Sequence, residues 1–279
     1  MSDPYEAIAL SRPNEVAIGG ALITMVEPDL GVEHAYNRWY EDDHFYSGAM
    51  QGPWVFAGRR FVAPRPLREA RTPVSEPAVE PPDAGCYISC YWVTAGQEAG
   101  SERWSYLAMA EGLMPFGRGF TQRRHVYTAF HRYCFGLVRD EGPLKPHLAL
   151  DAPCAGLLVE IVDAPGPDGF ERLQGVLRDD VLPPALAGSS ASMVLAFTPK
   201  EFSQGLIDQP GTPRVEPPEK VGSRLCLLWF LDADPTDGDA PDLRRHHGAL
   251  EASGAGSLAF SGAFVPTVVG TDRYVDELR

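Results

Sequence analysis

A run of aromatic residues that ends in a histidine is the part of this sequence best suited to chemistry. If the run is helical, Tyr36, Tyr40 and His44 recur every four residues and share roughly one face. Trp39 and Asp43 lie one position to the side of that face. Histidine titrates near neutral pH and can accept or donate a proton, and a neighbouring phenol can stabilise an enolate-like oxygen. We therefore predict His44 and Tyr40 as catalytic residues, the alternative being a structural histidine at a helix end.

A second set of rings lies in the strand-like run 124–135. Side chains of a strand alternate between two faces, so one face is expected to carry His125, Tyr127, His131 and Tyr133. If that face lines a cavity, the rings form a wall that suits a polar or aromatic substrate, to which Trp39 can add. The alternative is that this face points outward, because Val126 and Phe130 make the opposite face more apolar.

Two arginines and two histidines are further candidates. Arg59 and Arg60 are successive residues of a predicted strand and point to opposite faces, so we assign substrate binding to Arg59 and expect the other to be exposed. His246 and His247 are expected at the surface because successive residues do not share a helix face.

Motifs for metals and cofactors are missing from the sequence. There is no HxH or HExxH pattern, no glycine-rich phosphate loop and no GxSxG elbow. A metal site would have to be assembled across elements from His44, His125 or His131. The prediction is therefore no metal and no cofactor.

One segment resembles a known superfamily. The pattern Tyr36-Asn37-x-Trp39-Tyr40-x-x-x-His44, a turn at Gly52, and then Ala57-x-Arg59-Arg60-Phe61 resembles the EthD-like branch of the ferredoxin-like dimeric α+β barrel superfamily. The chain departs from the pattern after the histidine, where it has Phe45-Tyr46-Ser47. Relatives include polyketide cyclases, antibiotic-biosynthesis monooxygenases and muconolactone isomerases. The resemblance implies that His44 lies near a ligand cavity between the sheet and the helices.

The elements that position these residues repeat along the chain. Four β-α-β units follow one another, with proline-rich joins at residues 63–84 and 199–222. We therefore predict an α+β protein of two tandem ferredoxin-like modules, 16–138 and 154–270, each β-α-β-β-α-β. Because relatives dimerise to close a barrel, a chain with both copies is expected to close the barrel within itself, as a monomer or a homodimer. Only the first module keeps the Trp-Tyr and His motif.

Composition narrows the expected partners. The 279 residues carry 24 Lys and Arg against 38 Asp and Glu, a net charge of −14, which repels nucleic acids and anionic membrane surfaces. Five cysteines form no CxxC pair, and no signal peptide or apolar span is evident, so the expected compartment is the cytoplasm.

These observations lead to one functional expectation. The protein is expected to be a cofactor-independent enzyme that transfers protons on a hydrophobic, oxygenated small molecule, such as an aromatic or polyketide-like compound. Cyclase, isomerase, dehydratase and lyase chemistry all fit this expectation. The alternatives are a non-catalytic small-molecule binding protein and a cofactor-free monooxygenase.

Overall fold

Eight strands carry the architecture in this computed structural model, which describes Glu6 and residues 16–201, 219–237 and 245–279. Their bounds are β1 Ile18–Pro28, β2 Val55–Val62, β3 Tyr87–Thr94, β4 Arg123–Val138, β5 Gly156–Asp163, β6 Ala191–Pro199, β7 Arg224–Leu231 and β8 Ser257–Pro266. Three predicted features lie wholly or mostly outside the described residues: the polar lead-in 1–15, the join 199–222 and the start of the last helix at 241–244.

Helices connect the strands on the outside of the sheet. The α-helices are α1 Glu33–Trp39, α2 Arg65–Glu69, α3 Glu98–Leu107, α4 Phe170–Val176, α5 Leu182–Ala187 and α6 Arg245–Ser253. Three of them, α1, α3 and α4, continue into the wider π-helical segments π1 Tyr40–Met50, π2 Ala108–Leu113 and π3 Leu177–Val181. Short 3₁₀ turns occupy Met114–Phe116, Pro146–Leu148, Pro167–Gly169 and Val275–Glu277. No helix in the described part of the chain is long and apolar enough to span a bilayer.

The strands close into one antiparallel barrel in the order β1-β3-β2-β8-β5-β7-β6-β4. Each half of the chain has the element order β-α-β-β-α-β, and the halves join where β4 pairs with β6 and β2 with β8. The predicted α+β fold of two ferredoxin-like modules closing one intrachain barrel is therefore confirmed. The module limits 16–138 and 154–270 stay a prediction, although β1–β4 lie within the first range and β5–β8 within the second.

Two apolar layers explain why the strands are so hydrophobic. One face of each strand fills the barrel interior, with Phe61, Trp92 and Phe230 among its largest side chains. The other face packs against the helices, as Trp229 and Leu173 do in the second half. A strand buried on both faces reads as an almost continuous apolar run. All five cysteines are free thiols.

A β-bulge in β4 overturns the predicted ladder of polar rings. Met25 pairs with Tyr127 but the next residue, Val26, pairs with His125, so β4 has one extra residue at this point. The bulge shifts the alternation, and His125 points to the helix side of the sheet. Tyr127, His131 and Tyr133 point into the barrel interior; Tyr127 donates a hydrogen bond to His131 Nε2 at 2.9 Å and Tyr133 packs on Phe197. The prediction of one face carrying all four rings is wrong.

Candidate functional site

The segment π1 places His44 against the sheet. Its ring stacks on Trp39, with ring centroids 4.3 Å apart and the planes 18° from parallel. Trp39 and His44 are five positions apart, and on an α-helix their side chains would point in different directions. A π-helix forms hydrogen bonds between residues i and i+5, so it brings these two side chains to the same side. Gly48 is also required, because a Cβ there would lie 2.5 Å from His44 Nδ1. The π-helical winding and this glycine together fix the imidazole.

A cavity lies beside His44, between the outer face of β1 and β4 and the segments π1, α3 and π2. Its volume is about 130 Å³. The polar part of the wall comprises Thr24, Tyr40, His44, Tyr91, Ser105, Tyr106, Arg123, His125 and Thr128. The apolar part includes Leu22, Val26, Ala49, Met109, Ala129 and Phe130. An engineered cavity of about 150 Å³ binds benzene, so this space suits a molecule with a single ring.

Both histidines on the cavity wall are uncharged at neutral pH. Burial, together with the nearby Arg123, lowers the pKa of His44 to about 3, although Asp43 opposes the change. Burial and Arg123 also lower the pKa of His125 to about 3. The Nδ1 atom of His44 is buried without a hydrogen-bond partner among the described residues. These imidazoles can therefore donate or accept a hydrogen bond but carry no charge.

Two threonines orient His125. Its Nδ1 lies 2.8 Å from Thr128 Oγ1 and 3.3 Å from Thr24 Oγ1, and the two hydroxyl oxygens are 2.8 Å apart. The bulge in β4 makes this cluster, because without the extra residue His125 and Thr128 would lie on opposite faces. The other ring nitrogen, Nε2, makes no hydrogen bond within the described part of the chain.

The hydroxyl of Tyr40 is already engaged. It donates a hydrogen bond to Ser89 Oγ at 2.8 Å and also makes a short hydrogen bond with the Tyr91 hydroxyl. Burial raises the pKa of Tyr91 well above its ordinary value, so the Tyr91 hydroxyl stays protonated. Tyr40 lines the cavity and contacts His44 edge to face at a centroid distance of 5.2 Å.

The structure separates the other predicted substrate-binding residues from this cavity. Trp39 stacks on the His44 ring and donates its Nε1 hydrogen to the Arg118 carbonyl at 2.8 Å. Arg59 donates to the Ala152 carbonyl at 2.7 Å. Arg60, expected to be exposed, is 4% exposed.

Arg60 instead belongs to a buried polar cluster. Its Nη1 donates to Asn37 Oδ1 at 2.6 Å and lies 3.6 Å from Glu41 Oε1. Its guanidinium also lies 3.9 Å from the centroid of the Tyr87 ring. Arg59 and Arg60 border a separate cavity of about 290 Å³ beside Glu41.

Sequence reasoning missed a second polar cluster, formed by Glu160 on β5 and by His246 and His247 on α6. The expectation that both histidines lie at the surface is wrong: His246 is 4% exposed, and both rings contact the buried Glu160 carboxylate. The sequence did contain a signal for this cluster, because Glu160 is the one carboxylate inside the apolar run 157–162.

Comparisons with known proteins identify the fold only. No protein-family model matches the chain, and no curated protein matches it either. A solved structure described as a putative chlorite dismutase is 11% identical, with 94% of this chain and 100% of that chain covered and a TM-score of 0.46. A putative Dyp-type peroxidase from Shewanella oneidensis is 10% identical, with 96% of this chain and 98% of that chain covered and a TM-score of 0.48. A DypB variant from Rhodococcus jostii in complex with heme is 12% identical, with 93% of this chain and 96% of that chain covered and a TM-score of 0.46.

The site itself corrects the expected function. The prediction of a cofactor-independent cyclase, isomerase, dehydratase or lyase is wrong, because it made His44 the general base, and with a pKa of about 3 this imidazole takes up a proton poorly near neutral pH. None of the solved structures named above is described as such an enzyme.

Heme fits neither the cavity beside His44 nor the histidines of the second half. The cavity beside His44, of about 130 Å³, is close in size to one that holds benzene, whereas a heme macrocycle contains four pyrrole rings. In the second half, the Nε2 atoms of His246 and His247 both face Glu160, so neither is turned towards an open space as an axial ligand. The chain has the ferredoxin-like α+β barrel fold, while its place in the EthD-like branch stays a prediction.

Proposed function

We propose that the cavity beside His44 binds one small, largely apolar molecule that carries a neutral hydroxyl group, with a substituted phenol as the type. The observation that carries this proposal is a pair of imidazoles, His44 and His125, kept uncharged in the wall of a mostly apolar cavity. Apolar walls favour the ring of such a ligand, and a few placed polar groups fix its orientation.

The electrostatics of the wall favour a neutral ligand. An uncharged imidazole offers one donor and one acceptor, and a hydroxyl group can satisfy either. A ligand cation would meet Arg123 at the cavity wall and would lose its hydration without gaining an anionic partner. Cations are therefore disfavoured, and the proposed ligand is a neutral aromatic or alicyclic alcohol.

The proposal assigns recognition, and no proton transfer, to His44. With a pKa of about 3, its imidazole accepts a hydrogen bond at neutral pH but takes up a proton poorly. The same holds for His125, which Thr24 and Thr128 fix through Nδ1. The affinity of the ligand for the cavity should therefore not depend on pH across the neutral range, because neither His44 nor His125 changes its charge there.

Calorimetric titration with phenol and with toluene tests this function, since the two differ by one hydroxyl. A hydrogen bond contributes about 0.5–1.5 kcal/mol, so phenol should bind the wild-type protein about 2–12-fold more tightly than toluene. His44→Leu should remove most of that preference while toluene binding persists. His34→Leu is the matched control, because His34 is a surface histidine with a side chain 56% exposed.

A cavity-filling variant locates the binding site. Ala49 lines the cavity and is 9% exposed, so Ala49→Leu should abolish binding of both probes. Equal affinities for phenol and toluene in the wild type, or binding that survives Ala49→Leu unchanged, would refute the proposed function.

A further inference from the structure

A carboxylate and two imidazoles converge between the sheet and α6 in the second half of the chain. Glu160 is fully buried on the helix-facing side of β5, where its neighbours on that face, Leu158 and Val162, belong to an apolar layer. Nε2 of His246 lies 2.8 Å from Glu160 Oε2, and Nε2 of His247 lies 2.5 Å from Oε1. Three atoms of the kinds that bind metals therefore meet at one point, all within 4.8 Å of one another.

Neighbouring side chains fix the orientation of this cluster. Trp229 donates its Nε1 hydrogen to Glu160 Oε2 at 2.9 Å, and Ser261 donates to Oε1 at 3.3 Å. The His246 ring packs on Trp229 with a centroid distance of 5.0 Å. In metal sites, hydrogen bonds from neighbouring residues to the ligand side chains hold those ligands in the orientation that binds the ion.

The cluster takes the place in the second module that the cavity has in the first. Thr24, on the first strand of the first module, faces the helices and pairs with Thr128 across β4. Glu160, on the first strand of the second module, also faces the helices and pairs with Ser261 across β8. The internal duplication therefore provides two corresponding positions under the helices, and the second one holds a different set of polar groups.

The cluster is buried where a charge is costly. Glu160 is fully buried and His246 is 4% exposed. Burying an ionisable cluster in an apolar layer is usually no more stabilising than apolar residues of the same size. A bound ligand is one reason to retain such a cluster.

We propose that Glu160, His246 and His247 bind one divalent transition-metal ion of the Zn²⁺ or Fe²⁺ type. Two imidazoles and one carboxylate form the donor set of many zinc sites and of non-heme iron sites, and they leave further coordination positions free. Bonds of about 2.0–2.2 Å require ligand atoms about 3.0–3.5 Å apart. The present Nε2 to oxygen distances of 2.8 and 2.5 Å would have to open by less than about 1 Å.

The donor atoms of the cluster suit a cation. A carboxylate oxygen and imidazole nitrogens are common ligands of Zn²⁺ and Fe²⁺. A bound ion takes the place of the hydrogen between each Nε2 atom and the Glu160 carboxylate. Each imidazole then binds the ion through its Nε2 lone pair and carries its remaining proton on Nδ1. This site is independent of ligand binding in the cavity beside His44.

Metal titration of the full chain tests the proposal. Protein stripped with a chelator is titrated with Zn²⁺ by calorimetry, with Fe²⁺ under anaerobic conditions, and with Co²⁺ while visible absorption is recorded. One ion per chain should bind, the melting temperature should rise with added Zn²⁺, and bound Co²⁺ should give ligand-field absorption bands. Binding of Zn²⁺ and of Fe²⁺ in this ratio would each support the proposal and would show which ion is preferred.

Variants locate the ion. Glu160→Gln and His247→Gln should each weaken Zn²⁺ binding by at least about tenfold. His247 is 18% exposed in its side chain, so its variant should fold even if Glu160→Gln does not. The control is His34→Gln, which removes a surface histidine beside Asp272 and Asp276 and should leave Zn²⁺ affinity unchanged. Failure to bind one ion per chain, or equal affinity in His247→Gln and the wild type, would overturn the proposal.

Discussion

Mild acid should unfold this protein because three buried histidines stay uncharged in its folded state. Burial lowers the pKa of His44, His125 and His131 from the ordinary 6.5 to about 3. Below about pH 6.5 the unfolded chain binds these protons and the folded chain does not, so stability rises with pH. Their contribution is fully present above about pH 6.5 and is lost as the pH falls towards 3.

The size of the effect follows from linkage. Each such histidine changes the free energy of unfolding by about 1.4 kcal/mol per pH unit in this range. Between about pH 6.5 and about pH 5 each therefore costs about 2 kcal/mol, and the three together cost about 6 kcal/mol. A protein of ordinary stability has only about 5–15 kcal/mol in total, so the loss is large enough to approach unfolding.

Urea unfolding at several pH values measures this dependence, and His131→Asn isolates one of the three groups. His131 is 1% exposed in the barrel interior, where its ring donates to the Ala129 carbonyl and accepts from Tyr127. The variant loses some stability at every pH, but the slope of unfolding free energy against pH should fall by about 1.4 kcal/mol per unit.

A surface histidine provides the control. Asp276 raises the pKa of His34, so its protonation stabilises the folded state at low pH, and His34→Gln should leave the acid slope unchanged or slightly steeper. If His131→Asn has the same slope as the wild type, the imidazole is protonated in the folded protein and the reasoning about burial fails.

Two further predictions concern the candidate site and the buried arginine. Gly48→Ala would place a Cβ 2.5 Å from His44 Nδ1, so it should displace the imidazole, cost about 1–3 kcal/mol in urea unfolding and weaken phenol binding more than toluene binding. Arg60→Leu should cost about 1–3 kcal/mol and lower the melting temperature, because the buried Asn37 Oδ1 would lose its donor and Glu41 would keep only Arg38 as a cationic partner. Arg59→Leu, on the neighbouring, half-buried residue that donates to the Ala152 carbonyl, should cost less than half as much. Equal losses for the two arginines would contradict the role given to burial.

Much of the architecture follows from local patterns in the sequence. The apolar runs, the proline-rich joins and the repeated unit predict β-α-β-β-α-β twice, and the closed barrel confirms it. The spacing of Tyr40 and His44 also brings their rings together, because residues four apart stay close on an α-helix and on a π-helix. These properties depend on residues that are close together in the chain. The spacing of apolar residues and the local composition are therefore enough to predict them.

Only the tertiary structure decided which of these residues share a site. The bulge in β4 turns His125 to the cavity and His131 into the barrel, and it depends on pairing with β1 about 100 residues earlier. Glu160 meets His246 across 86 positions of the chain, so neither residue signals the other locally. Burial lowers the pKa of His44 and His131, since desolvation arises only when distant elements pack together. The sequence by itself therefore determined the strands, the helices and their duplication, while the assembled barrel decided the orientation, partners and protonation of the side chains.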